Sequence, residues 1–184
     1  MRALFAWAFP GTAGALSDMH RRRLIALTAL PLLQPGRAEA LEASTGRVLL
    51  AIGGQVRNTN RGTQALFDMP MLERLPQTSI SARTPWYPSL RKFTGPLLRD
   101  LLQMVDAQGL NLRASALNDY RVDIPVADAQ RWDVIVARLL DDQPMTVRDK
   151  GPLFIMYPFD THPELRSPVY FTRCAWQLTS IEVR

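Results

Sequence analysis

The sequence predicts an α+β fold, a mixed and largely antiparallel β-structure with a few short helices. Three observations predict it. Short apolar runs at residues 47–56, 78–83, 121–124 and 153–157 recur between turn-forming residues, which is the pattern of strands. Leu97, Leu98, Leu101, Leu102 and Val105 fall at helical spacing and form one apolar face. The chain has 184 residues and shows no repeat, low-complexity tract or linker after residue 40, so those elements share one ordinary domain.

The elements follow in order. Residues 1–18 read as an upstream extension, and the real start is read at Met19. From there Arg21, Arg22 and Arg23 precede an apolar run at 24–33, and Ala38-Glu39-Ala40 supplies a small-residue cleavage pattern. That is the layout of a secretory signal peptide, on either the Sec or the twin-arginine route. Its apolar run is too short to span a bilayer. The expectation is therefore a mature periplasmic domain at 41–184; an N-terminal core helix or membrane anchor is the alternative. Residues 47–56 read as the first strand, with Gly53-Gly54 marking a bulge or a close backbone approach. A polar turn at 58–63 leads to a short helix at 66–75, with Asp68 as N-cap and Pro70 in the first turn. The strand at 78–83 opens into a loop carrying Arg83, Thr84, Trp86 and Tyr87. Pro96 is read as starting the leucine helix and Gly109 as ending it.

Strands are expected at 111–116 and 121–124, joined by a turn in which Asn118 and Asp119 tolerate left-handed backbone. A helical turn follows at 126–132, then strands at 134–140 and 153–157 and an irregular loop at 160–168. Residues 171–183 are read as one or two closing strands that include Cys174.

Charge and composition narrow the function. Residues 1–40 hold five of the 22 basic and two of the 17 acidic residues, which leaves 17 against 15 in the remainder. A surface so nearly balanced gives no footprint for nucleic acid. Cys174 is the sole cysteine, so neither an internal disulfide nor a multi-cysteine metal site can form. His162 is the one histidine after residue 40, so no His–His metal site can form there. No nucleophile elbow, P-loop or G-x-G-x-x-G occurs.

Five pieces in order carry a resemblance: RVLLAIGG, FDMPMLERLPQTSISART, FTGPLLRDLLQ, NDYRVDIPVADA, and KGPLFIMYPFD with the closing TRCAWQLTSIEV. Together, over residues 45–184, they resemble the sulfite-oxidase-type molybdopterin-binding domain, here as a short stand-alone exported member. The resemblance implies a mixed α+β fold that seats a pterin in a cleft between loops. In the catalytic members a cysteine thiolate from the loop before the leucine helix ligates molybdenum, which needs a soft anionic ligand. The corresponding positions lie near Arg83 and Thr84, and neither supplies a thiolate. The resemblance therefore implies the fold and a pterin-shaped pocket, without molybdenum chemistry and with no metal ligand or catalytic residue.

A flat polar heterocycle needs stacking surface and convergent hydrogen-bonding groups. Arg83, Thr84, Trp86 and Tyr87 offer these in one loop, and Asn118, Asp119 and Tyr120 in another, where Asp119 could accept two bonds from an amino-pyrimidine edge. Arg173 and Trp176 could complete a wall. The plainer alternatives are that Trp86 caps the core, Asn118-Asp119 only turns the chain, Arg173 is a surface ion-pair partner, and Cys174 is a buried hydrophobe.

Three functions are then expected in order. The first is a non-catalytic periplasmic pterin sensor or carrier that reports to an inner-membrane signalling protein of the cyclic-di-GMP type. The second is a small molybdopterin-dependent oxidoreductase, or a subunit of one, with an atypical metal ligand. The third is an interaction domain whose pocket has filled in.

Overall fold

In the computed structural model, which describes residues 41–184, strand β1 (Val48–Gly54) lies beside the last strand, β11 (Leu178–Val183). The two run parallel, with Ile52 opposite Ile181. Gly54 permits the approach: its φ is +83°, and a Cβ there would stand 2.1 Å from the carbonyl oxygen of Val183. The expectation of a close backbone approach at this pair of glycines is met. β2 (Ala65–Asp68) flanks β1, while β5 (Asn111–Ala116) and β6 (Arg121–Pro125) continue beyond β11. The five-stranded order is β2-β1-β11-β5-β6, and every pair except β1–β11 is antiparallel.

A second sheet has the order β3-β4-β8-β9, from Gln77–Thr84, Tyr87–Pro96, Leu139–Leu140 and Gln143–Pro144. A two-stranded ladder pairs β7 (Ile135–Ala137) with β10 (Phe154–Met156). One buried cluster joins all three, from Leu50 and Phe67 through Phe93 and Leu101 to Phe154 and Tyr157. The fold is the expected α+β class, with mostly antiparallel sheets and short helices. The signal-peptide reading and the start at Met19 lie outside the described residues.

Helix α1 (Met69–Arg74) begins later than expected, because Leu66 and Phe67 are claimed by β2. Asp68 caps it as predicted: Oδ1 accepts from the Met71 N–H at 3.0 Å, and Oδ2 accepts from Thr45 and Gly46 at 2.8 Å each. The Gly46 N–H, followed by those of Met71 and Thr45, holds this buried carboxyl below its ordinary range against the cost of burial. Asp68→Asn is expected to lower stability by about 1–3 kcal/mol near neutral pH. The folded pKa lies below the unfolded value of about 3.9, so the stabilisation is complete above about pH 4 and is lost as pH falls through the folded value. Urea unfolding of both proteins over a series from pH 7 into acid checks this; the difference between them should narrow as pH falls below about 4.

Other expectations are corrected. Pro96 ends β4 and does not start a helix, because ladder pairing runs through Gln77 opposite Pro96. Gly95 serves the sheet as well: a Cβ would stand 2.0 Å from the carbonyl oxygen of Val136. Helix α2 (Leu98–Met104) follows, with Leu98, Leu101 and Leu102 buried as the spacing predicted. The left-handed residue after it is Asp106 (φ 49°), while Gly109 packs on the backbone of Arg184.

The apolar run 134–140 is two strands in two sheets. β7 pairs with β10, and the Arg138 N–H turns to Thr94 at 2.9 Å before β8 joins β4. α3 (Val126–Arg131) forms where a helical turn was expected. Residues 171–173 are not strand: Pro168 opens helix α4 (Pro168–Arg173), Cys174 ends it, and β11 starts only at Leu178. Arg173 and Cys174 therefore lie off the strand on which they were expected.

Candidate functional site

Strands β3 and β4 are joined by Thr84-Pro85-Trp86-Tyr87, with Thr84 paired to Tyr87. Thr84 is buried, and its Oγ1 accepts from the Tyr87 N–H at 3.1 Å, which fixes the turn. The turn presents Trp86 half-buried at the end of the sheet. Its ring meets Trp176 at 5.4 Å, Phe154 at 5.6 Å and Phe171 at 6.3 Å, all edge to face. That is the arrangement ring quadrupoles prefer. Trp176 is held by a bridge to Phe154 just before β11, and Phe171 comes from α4 and rests 5.0 Å from Phe159.

Charge gathers beside this aromatic surface. Asp160 accepts from the Arg83 backbone N–H at 3.2 Å and from its guanidinium at 3.3 Å. The same carboxylate accepts from Arg166 Nη2, and Arg166 Nε donates to the Phe159 carbonyl at 3.1 Å. Two largely exposed guanidiniums thus share one carboxylate. Across the hairpin the Lys150 ammonium lies 4.8 Å and the Arg91 guanidinium 5.5 Å from the Tyr87 ring centroid. Burial pushes the Tyr87 phenol above its ordinary pKa.

A second constellation supports α4. Asp128, on α3, accepts at one oxygen from both Arg173 Nη1 and the Tyr157 hydroxyl, each at 2.7 Å. Burial, followed by the hydrogen bond to Asp128, pushes the Tyr157 phenol far above its ordinary pKa. Arg173 also lies over the ring of Tyr170 at 5.2 Å.

The predicted residues divide between two places. Arg83, Thr84, Trp86, Tyr87 and Trp176 gather at the hairpin end, and Arg173 stands behind them on α4. The turn residues go elsewhere: Asn118 Oδ1 accepts from the Tyr120 N–H at 3.2 Å, and the Tyr120 hydroxyl donates to the Thr172 carbonyl at 2.7 Å. Asp119 takes the left-handed conformation at φ 64°. Asp160, Arg166, Phe171 and Asp128 were not foreseen as site residues. His162, in the loop at 160–168, packs its ring 4.8 Å from Trp132.

The donor set can be tested against the group that the sequence resemblance implies. A pterin finds ring surface at Trp86 and Trp176 and polar groups at Arg83, Arg166 and Asp160. A molybdenum centre finds no thiolate in the hairpin. Cys174 is buried, its thiol donates to the Tyr170 carbonyl at 3.4 Å, and burial pushes its pKa far up, so the neutral form is favoured. Among the described residues no cluster of three or more His, Cys, Asp or Glu could hold a metal ion. A groove of about 840 Å³ lies elsewhere, over Met71, Leu75 and Met104, but its lining has no aromatic ring on which a heterocycle could stack.

No family model and no curated protein matches the chain. Among solved structures it is similar to the sulfane dehydrogenase SoxCD from Paracoccus pantotrophus, with a TM-score of 0.55 and 16% identity over 78% of this chain and 40% of that one. At that identity the likeness defines the fold alone, a sulfite-oxidase-like α+β architecture distantly related in shape to the molybdopterin oxidoreductases. The chain spans about 40% of the length of that protein.

Proposed function

We propose that this chain is a periplasmic, non-catalytic module that binds a pterin or a closely related heterocycle and reports it to an inner-membrane signalling protein of the cyclic-di-GMP type. One observation carries the ligand reading: a half-buried aromatic surface, Trp86 with Trp176 and Phe171, lies beside Arg83, Arg166 and Asp160. The rings offer stacking, and the guanidiniums offer donors to a ring carbonyl or ring nitrogen. The sequence resemblance adds a family whose fold seats a pterin in a cleft between loops. Export rests on the signal-like segment from Met19.

The oxidoreductase alternative rests on the fold and needs a metal ligand supplied from outside this donor set. The filled-pocket alternative draws on one specific observation, that Trp86 already meets three other rings.

The test is mass spectrometry and elemental analysis of protein purified from its native periplasm, with titration of the stripped protein by 7,8-dihydropterin. The expected result is a bound pterin, molybdenum at background, and quenched tryptophan fluorescence on titration. Near-stoichiometric molybdenum would replace the reading with the oxidoreductase. No released heterocycle and no binding would leave the interaction domain.

A further inference from the structure

Arg83 and Asp160 form a pair with a direction. Asp160 Oδ1 accepts from the Arg83 backbone N–H at 3.2 Å and from Arg166 Nη2. Oδ2 accepts, among the described residues, from Arg83 Nη1 alone, at 3.3 Å. A carboxylate oxygen has two acceptor directions. Oδ1 is therefore filled, while Oδ2 keeps one direction open. The Arg83 guanidinium is also only partly used. Its side chain is 60% exposed and, among the described residues, bonds to Asp160 alone, so most of its N–H donors stay uncommitted.

The pair is held in place. The backbone bond ties Asp160 to β3 three residues before Trp86. Arg166, which grips the same oxygen, is itself fixed by the Phe159 carbonyl at 3.1 Å. Phe159, the residue before Asp160, packs 5.0 Å from Phe171, and Phe171 meets Trp86 at 6.3 Å. Arg83 and Asp160 therefore stand at the margin of the aromatic surface and offer, side by side, one donor and one acceptor.

A donor beside an acceptor selects the opposite order, an acceptor beside a donor. A pyrimidine ring whose amino group adjoins an unprotonated ring nitrogen presents that order. An oxo group in place of the amino group, as in a lumazine, reverses both positions: the ring nitrogen gains a proton and the substituent has none to give. Arg83 then faces an N–H and Asp160 a lone pair, and all four groups are left unpaired.

We infer that Arg83 and Asp160 read the amino-pyrimidine edge of the bound heterocycle, so that the ligand is a fused 2-aminopyrimidine of the pterin or guanine type and not its 2-oxo counterpart. Arg83 donates to the ring nitrogen, and Asp160 Oδ2 accepts from the amino group. Arg166 is a positioning residue that acts through Asp160. The inference rests on the proposed heterocycle reading and adds to it the edge that is recognised and the two residues that choose it.

The test titrates the full chain, stripped of any bound ligand, with 7,8-dihydropterin and with 7,8-dihydrolumazine, which differ in the group at that edge. The unaltered chain should bind 7,8-dihydropterin roughly 10- to 100-fold more tightly; a fully enclosed site would discriminate further, but water reaches Arg83 here. Asp160→Asn presents an amide that turns either a donor or an acceptor to the ligand. Arg83→Met keeps an unbranched apolar stem and no donor. Each should bring the two affinities within about threefold of one another. The ratio is the readout, because a residue that only shapes the loop would weaken both ligands alike. Arg83 is exposed, so Arg83→Met carries the test if Asp160→Asn fails to fold.

Guanosine, titrated in parallel, presents the same edge on a purine. Whichever of guanosine and 7,8-dihydropterin binds more tightly identifies the second ring, and preference of either over 7,8-dihydrolumazine supports the reading of the edge. Equal affinity for 7,8-dihydropterin and 7,8-dihydrolumazine in the unaltered chain overturns the inference and leaves the heterocycle reading standing. A preference that survives unchanged in both variants does the same. Binding of none of the three overturns both, so the two failures are distinguishable.

Discussion

Replacing Trp86 with alanine should weaken 7,8-dihydropterin binding by roughly 10- to 100-fold, since stacking of a flat base on an aromatic ring contributes about 1–3 kcal/mol. The same change should lower stability by about 2–4 kcal/mol. A buried aromatic truncated to alanine costs about 3–5 kcal/mol, and Trp86 is only half-buried. The ring loses three edge-to-face partners, Phe154, Phe171 and Trp176, each contributing about 0.5–1.5 kcal/mol beyond area when well packed. Trp86→Phe should restore most of the stability and part of the affinity. Calorimetric titration alongside guanidinium unfolding separates the two effects. If Trp86→Ala loses stability while affinity stays within about twofold, the ring is core packing and the stacking role is wrong. Arg166→Gln supplies the complementary result: it alters an exposed side chain, so affinity should fall with little change in stability.

The parts of this fold that were legible in the sequence are those written by one local rule. Asp68 before Met69-Pro70 is a cap signal, and it caps. Gly53-Gly54 in an apolar run signals close approach, and Gly54 touches β11. The leucines of α2 bury the face that their spacing defines. Legibility fails where pairing partners decide. Pro96 reads as a helix start or as a strand end, and only the opposing Gln77 chooses. Residues 134–140 read as one compact strand, apolar but for Arg138, yet at Arg138 the chain passes between two sheets. Of the site, the hairpin half was readable because Arg83, Thr84, Trp86 and Tyr87 are neighbours in sequence. Asp160 lies 77 residues from Arg83, and Phe171 further still from Trp86, so topology alone unites them. The Asn118–Tyr120 turn looked equivalent to the hairpin in composition; its hydrogen bonds instead take it to α4.

Asp128→Ala should lower stability by about 2–4 kcal/mol and the melting temperature by roughly 6–12 °C. Breaking a buried ion pair by removing one partner typically costs about 3–5 kcal/mol, and the lower part of that range applies here because Arg173 keeps about one fifth of its side chain in solvent. The loss has two sources. The Tyr157 hydroxyl, in a fully buried side chain, is left without its acceptor, and the Arg173 guanidinium without its counter-charge. Tyr157→Phe isolates the first source at about 1 kcal/mol, since the ring still packs between Phe159 and Tyr170. A cycle combining Asp128→Ala with Arg173→Ala isolates the second, with an expected coupling of about 1–3 kcal/mol.

The functional consequence follows from geometry. Asp128 does not touch Trp86, but Arg173 anchors the end of α4, and α4 carries Phe171 toward Trp86. Loosening that anchor should therefore weaken heterocycle binding several-fold without removing a single ring from the aromatic surface. Asp128→Asn, which keeps an acceptor for Tyr157 but discards the charge, should fall between the two. If Asp128→Ala melts early yet binds the heterocycle as tightly as the unaltered chain, α4 is scaffolding only.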